Sequence, residues 1–328
     1  MSVRSNDNRE RSANRAARLL LSCARLLPAL IAATACGSVE QPTRPAQPPR
    51  ADLTLEIAPG ELALPRERLE RWVGDAQSMV RETFGRFPVA ELAITVQPRP
   101  RSRGIRDGRT WPAGTGAAIE VGVGSRAGET ALERDWVLVH EMIHLAVPEL
   151  PPEQHWFEEG VATYLEPFAR ARGGKRSEED VWREITRDYA QGEPQPGEGG
   201  IDDTPTWART YYGGALFCLE ADVEIARATH GAKSLRDGFE GTVARRRSIL
   251  QHTDLASFAG ELDRALGVAV VAPLYARWAH TAVTVDLDAL WRELGVVREG
   301  RTLRFDDTAP LAAWRRSLVA VPAGREPR

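Results

Sequence analysis

His140 and His144 are the residues of this 328-residue chain best spaced to hold a metal ion. They flank Glu141 in the pattern H-E-x-x-H, inside the apolar run 136–147. Residues four apart on a helix point from one face, so both imidazoles can reach one Zn²⁺ at about 2.0–2.1 Å. Glu141 would then lie beside the open coordination position, where a general base is needed. The pattern predicts a buried metal-binding helix rather than two surface histidines.

The third ligand distinguishes between classes of zinc site. A metzincin requires a further histidine and glycine after H-E-x-x-H, but Val147 and Leu150 occupy those positions. A second helix offers Glu158 and Glu159 instead. It follows prolines at 148, 151 and 152, which end the first helix and turn the chain back. Two histidines, one carboxylate and a water would complete a catalytic zinc site.

These motifs resemble the gluzincin group of zinc peptidases, whose ligand glutamate directly precedes a glycine in E-G-x-A-x-Y. The resemblance covers roughly residues 116–240 and implies one Zn²⁺ per chain, with Glu159 as the third ligand. Residues 210–227 are similar to the Y-x-K-G-A helix of gluzincin aminopeptidases, especially the glycyl aminopeptidase family. That similarity implies Tyr211 as the hydrogen-bond donor to the oxyanion of the reaction, with Tyr212 as the competing choice.

The sequence departs from the aminopeptidase pattern at two points. Gly213 stands where the family has lysine. Residues 116–120 are only weakly similar to the G-x-M-E-N segment with which the family binds a free α-amine. We therefore expect a peptide or protein substrate without predicting aminopeptidase specificity. The expected chemistry is hydrolysis by a zinc-activated water, with Glu141 as general base.

Three further features lie near these motifs. Thr163, one turn after Glu159, either hydrogen-bonds a ligand histidine or simply packs. His155 is interpreted as a residue of the loop or helix start rather than as a fourth ligand. The arginines of the segment 99–116 are interpreted as a solvated loop surface rather than a substrate-binding site.

Residues 1–35 have the features of an export signal. An arginine-bearing stretch precedes apolar runs at 19–21 and 26–33, and small residues follow. Cys36 comes directly after them and resembles the lipidated cysteine of a bacterial lipobox. We expect a signal peptide over 1–35 and a Pro-rich tether over 36–50. A lipid anchor on Cys36 would hold the protein at a membrane of the bacterial cell envelope, facing the periplasm or exterior, with simple secretion as the alternative.

Composition narrows the classes of function. With 42% hydrophobic residues, the chain can bury one large core or two modest ones. Its net charge is −3, and residues 1–35 carry six arginines against two acidic residues, so the remainder is near −7. Nothing in this balance suggests a nucleic-acid partner. Removal of Cys23 and acylation of Cys36 would leave only Cys218, so no disulfide is expected within the chain.

Periodicity predicts an α+β fold in two parts. Strands are expected at 53–57, 89–96 and 118–123, with an amphipathic helix at 65–84. We expect residues 51–168 to form a zincin-like domain, in which a small amino-terminal β-sheet lies beside the zinc helix. Residues 169–328 are expected to form a mostly helical subdomain that carries the tyrosine helix.

Cap and breaker residues predict the helices of the second part. One helix should span 177–190 with Ser177 as N-cap, and the tyrosine helix should begin at Thr204 and end at Gly231. Further helices are expected at 233–247, 254–265, 270–281, 286–294 and 309–319, with a strand at 302–305.

Three functions are compatible with these features. The first is an exported, membrane-tethered zinc metallopeptidase. The others are a catalytically idle zinc-containing lipoprotein that binds peptides, and a scaffold in which the metal only ties helices together. The intact Glu141 favours the peptidase, because holding zinc does not require that residue.

Overall fold

The structure, a computed structural model, describes residues 51–300 and 302–321. These residues belong to one compact unit, 48–328. The predicted signal peptide, the lipidation site at Cys36 and the predicted tether lie outside the described residues. Among the helices within those ranges, none combines the length and apolarity needed to cross a membrane.

A four-stranded sheet forms the first layer. Its strands are β1 (Asp52–Ile57), β2 (Glu91–Arg99), β3 (Ile105–Ala113) and β4 (Gly116–Gly124). The order is β1-β2-β4-β3, in which β1, β2 and β4 are parallel and β3 is an antiparallel edge strand. The inner strands bury apolar side chains such as Ile94, Ile119 and Val121 completely, as expected where both faces of parallel strands are covered.

The edge strand β3 lies where a loop was predicted over 99–116, so that part of the prediction is wrong. An edge strand is buried on one face only, and here the half-buried residues after Ile105 are Gly108, Thr110 and Pro112 instead of large apolar ones. The alternation of apolar and polar residues that predicts a strand is therefore not visible in the sequence of β3. A bulge at Asp107, whose φ is +57°, also shifts the pairing between Arg106 and Gly108. Such bulges re-aim the side chains that follow them.

The first four helices pack on and beyond the sheet. They are α1 (Arg66–Thr83), α2 (Glu129–Glu133), α3 (Val137–His144) and α4 (His155–Arg172). The helix α1 buries Leu69, Val73 and Val80 in the common core. The helix α4 continues through residue 168, so the predicted division between residues 168 and 169 falls inside it.

The described part of the chain beyond α4 is mostly helical. It contains α5 (Glu178–Asp188), α6 (Gly214–Ala228), α7 (Leu235–Ala244), α8 (Leu255–Leu266), α9 (Val271–Trp278), α10 (Leu287–Leu294) and α11 (Ala312–Val319). A short antiparallel hairpin joins β5 (Val296–Glu299), which was not predicted, to β6 (Thr302–Phe305). Ser177 caps α5 as expected, because its hydroxyl accepts a hydrogen bond from the N–H of Asp180 at 3.1 Å. Cys218 is a buried free thiol in α6.

The tyrosine helix begins later than predicted. Thr204 is not its cap, since its buried hydroxyl donates to the carbonyl of Gly200 at 2.9 Å. The first helical hydrogen bond instead runs from the N–H of Thr210 to the carbonyl of Thr206, at 2.8 Å. One π-helical turn, Arg209–Gly213, then precedes α6. Single π-helical turns of this kind recur at functional sites.

Candidate metal and catalytic site

Asp135 holds the start of α3. Its carboxylate accepts hydrogen bonds from the N–H groups of Val137 at 2.9 Å and Leu138 at 3.2 Å, which a helix start otherwise leaves without partners. It also accepts one from the indole of Trp72 in α1 at 3.0 Å. Burial raises the pKa of Asp135 to about 6, although these hydrogen bonds oppose the rise. The sequence interpretation missed this residue, even though an aspartate before an apolar helical run is an N-cap signal.

The helix α3 brings His140, Glu141 and His144 together. Their ligand atoms all lie within 4.8 Å of one another. His140 and Glu141 are buried, and His144 is nearly so. Burial lowers the pKa of His144 to about 4, which keeps its imidazole neutral. A neutral imidazole is the form that binds a metal ion.

Glu159 in α4 completes a set of donors around one point. Its Oε2 atom lies 3.1 Å from Nε2 of His140 and 3.6 Å from Nε2 of His144. Ligand atoms at about 2.0–2.1 Å from a tetrahedral Zn²⁺ are roughly 3.3 Å apart, so these separations fit that ion. Burial opposes ionisation, but hydrogen bonds with His140 and His155 hold the pKa of Glu159 below its usual range. The residues present therefore fit a zinc ion.

Glu158 lines the same cavity, but its carboxylate is held by other partners. Its Oε1 atom accepts the N–H of Leu150 at 2.9 Å, and its Oε2 atom lies 2.6 Å from Nδ1 of His155. The other ring nitrogen of His155 is 3.3 Å from Oε1 of Glu159. Hydrogen bonds with Glu158 and then Glu159 raise the pKa of His155 to about 10. His155 is the first residue of α4, as interpreted from the sequence, but its ring also lines the metal site.

Two glycines let α4 and α6 touch next to the site. A Cβ atom added to Gly160 would lie 2.4 Å from the carbonyl carbon of Gly214. One added to Gly214 would lie 2.2 Å from the carbonyl oxygen of Trp156. No larger residue fits either place without moving backbone. The glycine after Glu159 therefore permits the contact that brings the π-helical turn, with Tyr211, beside the metal donors.

Only one of the two adjacent tyrosines lines the metal cavity. Tyr211 lines this cavity of about 870 Å³, which contains the metal donors, and it also borders a neighbouring cavity of about 630 Å³. Tyr212 lines only the second of these two cavities. Burial, followed by the charges of Glu159 and Glu141, raises the pKa of Tyr211 to about 12. Its phenol therefore stays protonated and able to donate a hydrogen bond.

The departure at Gly213 lies in a closely packed place. This glycine is buried, and a Cβ atom added to it would lie 3.2 Å from the carbonyl oxygen of Gly192 and 3.4 Å from the side chain of Ile201. A lysine, which the aminopeptidases of the resemblance carry at this point, would require the carbonyl of Gly192 to give by a few tenths of an ångström.

The edge strand β3 contacts Glu141 directly. The hydroxyl of Thr110 donates to Oε2 of Glu141 at 2.7 Å, and a Cβ atom on Gly108 would lie 2.3 Å from Oε1. Burial raises the pKa of Glu141, while the charge of His140 and the hydrogen bond from Thr110 oppose the rise and the charge of Glu159 adds to it. The sequence interpretation missed Thr110 and Gly108, because their position depends on how the strands pair.

The remaining predicted features lie at or near the rim of the site. Arg106 and Arg109 are exposed, as interpreted, but they lie on β3 at the rim of the metal cavity. The segment 116–120 belongs to the inner strand β4, one strand away from this rim. Thr163 lies with His140 in the wall of the neighbouring cavity.

Comparisons with known proteins show the fold. No protein-family model matches the sequence, and no curated protein matches it. The structure is similar to an M1 zinc metallopeptidase from Deinococcus radiodurans, with 15% identity, 72% of this chain and 49% of that chain covered and a TM-score of 0.47. It is also similar to an aminopeptidase N family protein from Idiomarina loihiensis, with 12% identity, 75% and 47% covered and a TM-score of 0.52.

This chain thus spans about half the length of each of those two structures. The second similarity supports a zincin-like peptidase fold, and the predicted mixed α and β class with a small sheet is confirmed at that level. This similarity gives no support for membership of the glycyl aminopeptidase family in particular.

Proposed function

We propose that this protein is a zinc metallopeptidase that hydrolyses peptide bonds. The observation that carries the proposal is that two carboxylates, Glu159 and Glu141, occupy different positions relative to the histidines. The Oε2 atom of Glu159 lies 3.1 Å and 3.6 Å from the Nε2 atoms of His140 and His144, about the spacing of two ligands of one Zn²⁺. Glu141 lies beside the histidines and accepts a hydrogen bond from Thr110. Two imidazoles and one carboxylate leave a coordination position open, which is the mark of a catalytic rather than a structural zinc site.

The side chains of this chain would divide the remaining work. When bound, Zn²⁺ supplies Lewis acidity and an activated water. Glu141 would accept a proton from the attacking water and pass it to the leaving amine, a role that suits a carboxylate whose pKa is raised by burial. Thr110 fixes the orientation of this carboxylate through its hydrogen bond.

Tyr211 would act on the substrate's carbonyl oxygen, which gains negative charge in the transition state. A preorganised donor aimed at that charge stabilises it more than it stabilises the bound substrate. The phenol of Tyr211 lines the same cavity as Glu141 and the metal donors, and it remains protonated because its pKa is raised to about 12.

Metal analysis combined with a peptide-library digest tests this function. We expect about one zinc per chain, and cleavage that stops on chelation and returns when zinc is added. Cleavage of peptides with blocked amino termini would indicate an endopeptidase. Cleavage only of peptides with free amino termini would indicate an aminopeptidase, the activity that the resemblance to the glycyl aminopeptidase family implies. Bound zinc without cleavage of any peptide would indicate the catalytically idle zinc protein.

We also propose export and attachment to a membrane of the bacterial cell envelope through Cys36. The support is the order of an arginine-bearing stretch, apolar runs, small residues and a cysteine in residues 1–36. Cells that carry Cys36→Ser should lose the membrane-bound form, and globomycin should block maturation of the native chain. Unchanged fractionation in both experiments would favour simple secretion.

A further inference from the structure

A second cavity, of about 630 Å³, adjoins the metal site. It shares Trp136, His140 and Tyr211 with the metal cavity, so these three side chains form the boundary between the two. A peptide bound across the metal donors would therefore bring one of its neighbouring side chains to this second cavity. We call it the aromatic cavity, after the side chains that line it.

Two exposed tryptophans stand on its wall. Trp136 and Trp207 are 51% and 63% exposed, and large apolar side chains exposed beside a site indicate an interaction surface. The ring of Trp207 packs against Tyr211 at 5.4 Å and edge-on to Tyr212 at 5.3 Å. Trp136 stands edge-on to His140 at 5.5 Å. The aromatic surface is thus held in place before any ligand binds.

The charges of the aromatic cavity leave a positive excess. Its three acidic side chains are each paired with an arginine, in Glu166–Arg170 at 3.0 Å, Glu184–Arg176 at 2.9 Å and Asp188–Arg187 at 2.6 Å. A fourth arginine, Arg134, also lines the cavity, and its side chain makes no ion pair with any residue in the described ranges. A basic group of a ligand in this cavity would therefore be repelled by Arg134. It would find no carboxylate that is not already paired with an arginine.

We infer that the aromatic cavity binds an aromatic side chain of the substrate next to the scissile bond and disfavours a basic one. An aromatic ring placed against Trp207 and Tyr212 gains apolar burial and offset or edge-to-face contacts. A lysine side chain is opposed by Arg134, so rejection as well as attraction sets the preference. The position beside the scissile bond rests on the proposed peptidase function, whereas the binding preference can be measured without hydrolysis.

Binding to the zinc-loaded Glu141→Gln variant of the full chain is the first measurement. The probes are peptides that are identical except for one residue, phenylalanine, alanine or lysine, scanned along an otherwise alanine-rich sequence. At the preferred position we expect phenylalanine to bind about tenfold to a hundredfold more tightly than alanine. Lysine should bind more weakly than alanine.

Substitutions in the same background assign the preference to the cavity. Trp207→Ala should weaken binding of the phenylalanine peptide by about tenfold and change binding of the alanine peptide little. Trp207→Phe keeps an aromatic surface and should restore most of the loss. The matched control is Trp111→Ala, because Trp111 is an exposed tryptophan, at 36%, that lines neither cavity.

A charge reversal tests the second half of the inference. Arg134→Glu should improve binding of the lysine peptide relative to alanine by several-fold, and the gain should shrink as salt is added. Arg134 is exposed, so this variant is expected to fold normally. An unchanged lysine-to-alanine ratio would overturn the charge part of the inference.

Three results would overturn the aromatic preference. They are equal binding of the phenylalanine and alanine peptides, an equal loss for both in Trp207→Ala, or no measurable binding of any peptide. Peptide hydrolysis by the native chain would still support the proposed function in each case. Conversely, a Trp207-dependent preference in a native chain that cleaves no peptide would support the cavity and contradict the peptidase proposal.

Discussion

The hydroxyl of Thr110 on the edge strand donates a hydrogen bond to Oε2 of Glu141 on the metal helix, at 2.7 Å. The two residues are 31 positions apart in the chain, and the pairing of β3 with β4 brings them together. A hydrogen bond to a carboxylate stabilises its charged form, so Thr110 opposes the rise in the pKa of Glu141 that burial causes.

Thr110→Val removes this hydroxyl and keeps the shape of the side chain. The pKa of Glu141 should rise further, so the acidic limb of the profile of kcat/KM against pH should move to higher pH. The rate near neutral pH should fall by about tenfold, the size expected for a lost hydrogen bond to a charged group. The control is Thr115→Val, because Thr115 donates instead to the remote Glu91 at 2.7 Å. An acidic limb that does not move would show that Thr110 has no role in setting this pKa.

The site could be predicted from sequence only where it depends on local spacing. His140, Glu141 and His144 share one helix, and Glu159 follows in the next, so periodicity and proline positions suffice to bring them near one another. Thr110 could not be found, because its contact depends on the register of an edge strand whose half-buried face has no large apolar residue after Ile105. Asp135 could have been found, since an N-cap signal precedes the helix.

The tyrosine helix shows the same limit. Both Thr204 and Thr206 can cap a helix, and only the burial of Thr204, which binds Gly200, decides between them. The π-helical turn Arg209–Gly213 has no counterpart in the spacing of apolar residues. It determines which of the two adjacent tyrosines lines the metal cavity.

The glutamate doublet should respond unequally to substitution. Glu159→Ala removes a ligand and should abolish tight zinc binding. Glu158→Ala should weaken zinc binding by only about tenfold, because Glu158 acts through His155, which it holds at 2.6 Å. A zinc titration that gives the reverse order would show that the second helix presents the other glutamate to the metal.

Substitution of the two tyrosines should also separate their roles. Tyr211→Phe should lower kcat by about 10²–10³ with little change in KM or zinc content, the pattern expected when a donor acts only in the transition state. Tyr212→Phe is the matched control and should keep near-native kcat, because Tyr212 lines the neighbouring cavity. A large loss in Tyr212→Phe alone would contradict this assignment.

Asp222, which lies away from the metal donors, should make the free energy of unfolding depend on pH. It is fully buried, and its carboxylate accepts hydrogen bonds from the Tyr164 hydroxyl at 2.7 Å and the N–H of Leu235 at 2.6 Å. Burial raises the pKa of Asp222 to about 7. The folded state therefore holds this proton more tightly than the unfolded chain, whose pKa is about 3.9. The resulting stability is fully present below about pH 4 and is lost as pH rises to about 7.

Asp222→Asn should flatten that dependence. Urea unfolding of the metal-free protein at several pH values between about 4 and 7 should show a shallower decline in the variant than in the native chain. The difference in slope should be at most about 1.4 kcal/mol per pH unit. Parallel declines would show that Asp222 does not titrate in this range.

The central claim is that one carboxylate moves protons while another holds the metal, and Glu141→Gln tests it most directly. Zinc content and peptide hydrolysis should be measured on the same preparation of this variant and of the native chain. We expect about one zinc per chain in both. Hydrolysis should fall by about 10²–10⁴ or more in the variant, the contribution of a general base. Zinc-loaded Glu141→Gln that cleaves peptides at the native rate would contradict the account.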